Sequence, residues 1–367
     1  MTAISFLVTN DLRYDQRMIR ICSTLASEGY DVTLIGRQLP ASLPLPERAF
    51  KQVRLECRYH KGKLFYLEYN WRLYRWLRQQ KQMDIIGAVD LDTILPAVLI
   101  GKKRTIPVVY DAHEYFTEVP EVTNRPLIKW IWERIARWSI PKTAARYTVG
   151  PALAALMEKQ YRLPFEIIRN MPARLDTNWM RPGQPPGKPV IILYQGALNE
   201  GRGLETVIAA MAFLPDAQLW LAGEGDLSHA LRKQAAESDW ASRIQFLGMV
   251  PPEQLPALTR KADIGLNLLE ARGLSYYYSL ANKAFDYVQA GVPAIHMDFP
   301  EYRKLLELHP IGVLLPELSV DQLVGVVRRV LDHYEPYRQA CLAAREQWIW
   351  ETESRQLLQI YKQVLPE

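Results

Sequence analysis

Short apolar runs alternate with stretches of helical spacing along most of the chain. AISFLVT (3–9) predicts a strand, and 15–29 predicts a helix, with Met18, Ile21, Cys22 and Leu25 at helical spacing and Gly29 as its stop. DVTLIGR (31–37) is the next strand, and the pattern predicts more at 53–58, 84–89, 106–111, 146–150 and 165–170. Such strand–helix alternation makes a parallel, doubly wound sheet. RLDTNWMRPGQPPGKP (174–189) breaks the pattern; it is rich in Pro and Gly, has no period and predicts a linker. A second series follows, with strands at 190–196, 217–225, 243–248, 263–269, 293–297 and 311–316. Helix 203–213 carries Leu204, Val207, Ile208 and Met211 on one face. Ser319 and Gln322 stand in capping-box spacing at the head of helix 319–331, and the tail, 335–365, reads as helical.

The expected organisation is therefore a first Rossmann-like domain over 1–173, a linker over 174–189 and a second domain over 190–345. A terminal helix, 346–367, follows. A chain of 367 residues is comfortable as two domains. Ligands of such sheets bind at the carboxyl ends of the strands.

Charge changes this picture in one respect. Residues 1–150 hold 23 Lys and Arg against 15 Asp and Glu, while the remainder holds 22 against 25. The basic half also mixes Trp and Tyr with Arg and Lys, in KLFYLEYNWRLYRWLRQQK (63–81) and PLIKWIWERIARWSIPK (126–142). Two readings stay open: peripheral contact with an anionic membrane surface, or amphipathic helices that pack their aromatics in the core. No nucleic-acid-binding motif is visible. Cys22, Cys57 and Cys341 are widely spaced and suit a reducing compartment. The first residues lack a signal-peptide pattern, and no run of about 18 apolar residues exists. The expected location is cytoplasmic, and the membrane reading would add peripheral contact at the inner face of the plasma membrane.

Candidate chemistry sits where strands end. SLANKAFDYVQAGVPAI (279–295) gives a loop, a helix start at Asn282 and Lys283, and an acid, Asp286, one turn in. The helix stop at Gly291 and Pro293 then leads into an apolar strand. Helix-start N–H groups bind phosphate, and a carboxylate one turn along holds a ribose. YQGALNEGRGLET (194–206) is a glycine-rich turn with Gly196, Gly201, Gly203 and a cation, Arg202, but no Walker A signature. Gly223 and Gly225 form a second such turn, and FLGMV (246–250), with Met249, ends another strand. In the first half, VVYDAHEYFTEVPE (108–121) puts His113 and Glu114 after a strand, and TNDLRYDQR (9–17) puts Asp11, Arg13, Asp15 and Arg17 at the same rim. VDLD (89–92) carries two Asp where helix caps are common. No metal-ligand cluster is apparent, so no metal cofactor is expected.

Together, YQGALNEGRGLETVIAA, LWLAGEGD, FLGMV and SLANKAFDYVQAGVPAI resemble the retaining glycosyltransferases of family 4, which have the GT-B fold. In the first half, DQR, SEGYDVTLIGR and YDAHEYFTEVPE look like a bacterial subgroup of cell-surface polysaccharide assembly. The resemblance implies an α/β fold of two Rossmann-like domains facing a cleft, with the terminal helix crossing back to the first. It implies hexose transfer, without a metal, from a UDP- or GDP-sugar to a glycan or lipid-linked acceptor. It gives diphosphate binding to Arg202, with Lys283 nearby, ribose binding to Asp286, and a place near the transferring sugar to His113. Gly196, Gly203, Gly223, Gly225, Met249, Tyr278, Ser279, Leu280 and Asn282 would complete the donor site. Asp11, Arg13, Arg17 and Glu114 would lie on the acceptor side. Two departures stand out: Tyr278 replaces the first Glu of the family's E-x7-E motif, and Ala197 replaces an Arg of the phosphate loop. Alternatives are a sugar-nucleotide epimerase on the same fold and a non-catalytic glycan- or nucleotide-binding subunit.

Overall fold

Each of the expected strands forms, and those in the middle of the two parallel sheets bury their apolar residues on both faces. The computed structural model describes residues 1–175 and 186–365; most of the expected linker, 176–185, lies outside the described residues. The chain divides into two compact units, Met1–Asn170 with Glu353–Glu367, and Met171–Thr352.

The first unit has strands β1 (Ala3–Leu7), β2 (Asp31–Gln38), β3 (Lys51–Glu56), β4 (Ile85–Val89), β5 (Val108–Ala112), β6 (Ala145–Thr148) and β7 (Glu166–Ile167). They pair in parallel in the order β3-β2-β1-β4-β5-β6-β7, with Ile4 opposite both Val32 and Ile85. The order reverses between β1 and β4, which opens a crevice at the carboxyl ends of these strands. Helix Gln16–Ser27 buries Met18, Ile21, Cys22 and Leu25 and is capped by Asp15, whose carboxylate accepts from the Met18 N–H.

The second unit has β8 (Val190–Gln195), β9 (Ala217–Ala222), β10 (Ile244–Gly248), β11 (Ile264–Asn267), β12 (Ala294–Met297) and β13 (Gly312–Leu315). Their order is β10-β9-β8-β11-β12-β13, all parallel, so the switch point lies between β8 and β11. The loops that carry the glycine-rich turns and the 279–295 segment gather at that end of the sheet.

Two elements differ from the sequence pattern. Helix 203–213 is α-helical only over Leu204–Ala210 and tightens to a 3-10 turn at Met211–Phe213. The tail is two helices, Tyr334–Ala344 and Trp350–Val364, because Trp348 and Ile349 turn into the core between them. Residues from Glu353 onward belong to the first unit, where the buried Tyr361 ring lies 5.8 Å from Phe6 and its hydroxyl 3.3 Å from that of Tyr147. All three cysteines are buried and unpaired.

Candidate active site

In the second unit, Gln195 ends β8 and Asn267 ends β11. Helix Asn282–Gln289 starts beside them with no side-chain cap; its N-cap is Ala281. Asp286, one turn in, accepts a hydrogen bond from Gln195 Nε2 (3.0 Å), and Gln195 Oε1 in turn accepts from Thr259 Oγ1 (2.8 Å). Gln195 and Thr259 are buried, so this chain fixes the carboxylate from behind. Neither residue stands out in the sequence; only the placing of helix Asn282–Gln289 beside the end of β8 brings Gln195 to Asp286.

Lys283 turns its ammonium over the Tyr194 ring, 3.8 Å from the centroid, and toward Gly196. Burial pushes the Lys283 pKa well below the usual lysine range, and the charge of Arg202 pushes the same way, against the pull of Asp286. Arg202 lies over Tyr276, 5.4 Å from guanidinium to ring centroid, and its Nε is buried without a partner. Two cations are thus brought together at a switch point, one of them with an unsatisfied donor. Such a pair is stabilised by an anion between or beside them.

A Cβ on Gly223 would stand 1.9 Å from the Gly196 carbonyl oxygen, and one on Gly225 would stand 2.6 Å from the Leu198 carbonyl oxygen. The space at Gly203 is filled by Leu318, and at Gly196 by the Lys283 amine, 3.1 Å from the Cβ position. Gly223 and Gly225 therefore let the two turns pack on each other. Met249 is well exposed at the end of the edge strand β10. Leu280 is a core residue, not a rim residue. Tyr278 caps the short helix Gly273–Tyr277 and meets Tyr277 edge to face. In the 279–282 loop, the Ser279 N–H donates to Tyr276 O (3.2 Å) and the Ala281 N–H to the Tyr302 hydroxyl (3.0 Å). Those two groups are engaged, which leaves the uncapped first turn at exposed Asn282 as the phosphate-facing part of the segment.

The first unit builds a separate constellation at its own switch point. His113 follows β5, and its Nε2 lies 3.0 Å from Asp111 Oδ2. Its backbone N–H donates to Asp90 Oδ1 (2.8 Å). Burial works against the imidazolium, but the charges of Asp111 and Asp90 and the Asp111 hydrogen bond outweigh it, holding the His113 pKa up at about 9. Asp111 is gripped by the Arg17 fork, Nε to Oδ2 at 3.1 Å and Nη2 to Oδ1 at 2.8 Å. Burial raises the Asp111 pKa, yet Arg17 and His113 win and hold it at about 2.

Several expectations change here. Arg17 is buried, and it also donates to the Ile168 carbonyl (2.7 Å), so it braces the site from beneath instead of facing an acceptor. Asp11 is tied to Arg54 and Ser42, and Arg13 to the Pro44 carbonyl (2.5 Å). Glu114 is half-buried beside His113. The Asp90 side chain does not cap the helix Leu91–Arg104; it holds the His113 loop, with Asp90 itself at φ 55 and ψ 174, a conformation costly for any residue but glycine. Asp92 is buried, accepts from the Thr9 hydroxyl (2.9 Å), and is pushed up to about 7 by burial and the nearby Asp90 charge. Among the described residues, no group of three His, Cys, Asp or Glu is placed to hold a metal ion.

Comparison with known proteins agrees with this layout. Residues 15–172 match the family described as glycosyl transferase 4-like domain, and residues 176–347 match glycosyl transferases group 1. An alpha-D-kanosaminyltransferase of Streptomyces kanamyceticus is 23% identical over 332 residues, covering 84% of this chain and 82% of that protein. Sucrose-phosphate synthase from Thermosynechococcus elongatus superposes with a TM-score of 0.77 at 16% identity, over 99% of both chains. Anabaena Alr3699/HepE, solved with UDP and glucose, superposes with a TM-score of 0.77 at 15% identity, over 99% of this chain and 100% of that one. The fold is thus that of the GT-B glycosyltransferases, two Rossmann-like domains with parallel sheets.

Proposed function

We propose that this glycosyltransferase, which joins a glycosyl transferase 4-like domain to a group 1 domain, moves a hexose from a nucleotide diphosphate sugar to a glycan or lipid-linked acceptor with retention of configuration. The observation that carries the reading is the meeting of Arg202 and Lys283 beside Asp286 at the switch point of the second sheet. A nucleoside diphosphate would bring negative charge to the two cations and ribose hydroxyls to the carboxylate. The solved neighbour with UDP and glucose bound supports a UDP-type donor.

Arg202 and Lys283 would stabilise the departing diphosphate, helped by the positive end of helix Asn282–Gln289. A proton held on Lys283 offsets the charge that develops as the sugar–phosphate bond breaks. His113, held charged by Asp111 and Asp90, takes the sugar-orienting role that the family resemblance gives it. Retention in this reading needs no covalent nucleophile, since attack occurs on the face the leaving group vacates. Bacterial cell-surface polysaccharide assembly, on the cytoplasmic side, is the setting proposed. The buried free thiols suit a reducing compartment.

The test is donor turnover by Arg202→Ala, Lys283→Ala and the double variant, with UDP- and GDP-sugars in parallel. Removing one charge-assisted contact to the leaving group should cost roughly 10²-fold in kcat. Unchanged rates in all three would remove this assignment. Appearance of an epimerised donor without an added acceptor would favour epimerase chemistry instead.

A further inference from the structure

The helix Gly62–Gln79 has two apolar stripes, and only one is used by the core. Phe65, Tyr69, Leu73 and Leu77, four residues apart, are buried. The opposite stripe, Leu64, Leu67, Trp71, Arg75 and Arg78, keeps helical period and is exposed, Leu67 at 69% and Trp71 at 53%. The helix Pro126–Ser139 repeats the arrangement with Leu127 at 72% and Trp130 at 56% exposure, followed by Arg134 and Trp138. Both helices pack against Leu91–Arg104, whose outer end shows Leu99, Lys102 and Lys103. Tyr66 and Trp132 join the two outer helices edge to face at 5.4 Å. The stripes therefore belong to one helical layer of the first unit.

Charge on this layer has one sign. Every exposed ionisable side chain on the three helices is Lys or Arg. Glu68 is paired with Arg72 (2.7 Å), Glu133 with Arg137 (3.6 Å), and Asp92 is buried. Each exposed indole carries a cation over its ring: Arg75 on Trp71 at 4.7 Å, Arg134 on Trp130 at 5.5 Å and Lys142 on Trp138 at 4.2 Å. Clustered exposed apolar side chains of this kind mark an interaction site. Indoles sit at the level of lipid headgroups, leucines reach the acyl boundary, and cations meet lipid phosphates. Nucleic acid fits less well, because the aliphatic residues offer no stacking surface to bases.

We propose that this layer docks the first unit on an anionic lipid bilayer. The indoles and leucines enter the interface, and Arg75, Arg78, Arg134, Lys102 and Lys103 pair with lipid phosphates. The proposal does not depend on the donor-site assignment, since these residues lie in the first unit and the donor residues in the second.

The experiment sediments the full chain with phosphatidylcholine vesicles and with vesicles that also contain phosphatidylglycerol, at low and high salt. Trp fluorescence quenching by brominated lipid is read in parallel. Binding should be about tenfold or more stronger with phosphatidylglycerol and weaken as salt rises. The variant Trp71→Ser/Trp130→Ser/Trp138→Ser should lose binding and quenching. The variant Arg75→Glu/Arg78→Glu/Arg134→Glu should lose the salt-sensitive part. Both should keep the wild-type thermal shift with UDP, which shows that they fold and separates failure here from failure of the donor reading. No sedimentation with phosphatidylglycerol at low salt, or unchanged binding in both variants, overturns the proposal. So does a dimer in light scattering that the Trp variant abolishes, since a second copy would then cover this face.

Discussion

Lys283 and His113 show how neighbours set the charge of a side chain. Lys283 is pushed toward its neutral form by burial and by Arg202. A bound diphosphate reverses that pressure, so nucleotide binding should take up a proton at pH values below the ordinary lysine range, where the unliganded amine has already lost it. Calorimetry of UDP binding in buffers of different ionisation enthalpy measures it, and Lys283→Met should abolish the uptake. His113 is pushed the other way, to about 9 from the usual 6.5. The folded state binds its proton more tightly than the unfolded chain, so its stabilising contribution is complete below about pH 6.5 and is lost as pH rises through about 9. His113→Gln should therefore lose roughly 2–3 kcal/mol at acidic to neutral pH and little in alkali, as read by urea unfolding at several pH values. An equal loss at every pH would mean that the ring is packed but not ion-paired.

At the scale of elements, the donor end of the second sheet depends on turns that touch each other. The turn at 223–225 lies against that at 196–198, closer than any Cβ permits, with Gly223 at φ 148. Gly223→Ala should push the turns apart and cost roughly 2–4 kcal/mol. Because Gly196 neighbours the Lys283 amine, the same variant should also weaken UDP binding, which a thermal-shift titration reads. Wild-type nucleotide affinity in a destabilised Gly223→Ala would show that the turns serve stability alone. Helix ends were more legible: Ser319 caps Val320–Asp332 by accepting from the Gln322 N–H (3.4 Å), as its spacing predicts. The start of helix Asn282–Gln289 was only partly so. Its sequence shows a helix start at Asn282 and Lys283, but not that the N-cap is Ala281 or that Tyr302 already holds the Ala281 N–H.

At the scale of the whole molecule, the chain leaves its first unit at Asn170 and returns to it at Glu353. Leu357, Ile360 and Tyr361 of the terminal helix are buried, Tyr361 against Phe6 and Tyr147. Tyr361→Ala should destabilise the first unit by roughly 3–5 kcal/mol, the cost of emptying a large aromatic site. Scanning calorimetry should show one transition falling. UDP should raise the other through mass action on the folded second unit. A single transition that shifts equally under both changes would show instead that the two units unfold together.

The sequence by itself determined the strand set, the two parallel sheets and the strand ends at which chemistry gathers. Those follow from apolar period and from Gly and Pro punctuation, which are local and survive in one dimension. It also marked Arg202 and His113, in loops after buried strands, and Lys283 and Asp286, at the start of a helix. Only the tertiary structure decided what surrounds them. Arg17 and Asp111 are 94 residues apart and Gln195 and Asp286 are 91 apart, and nothing in either neighbourhood announces the other. The same holds for the aromatic helices: Tyr69 and Trp71 are two positions apart, and one is buried while the other is exposed. A pattern gives the period of a helix, but its neighbours decide which of two apolar stripes meets the core and which meets solvent.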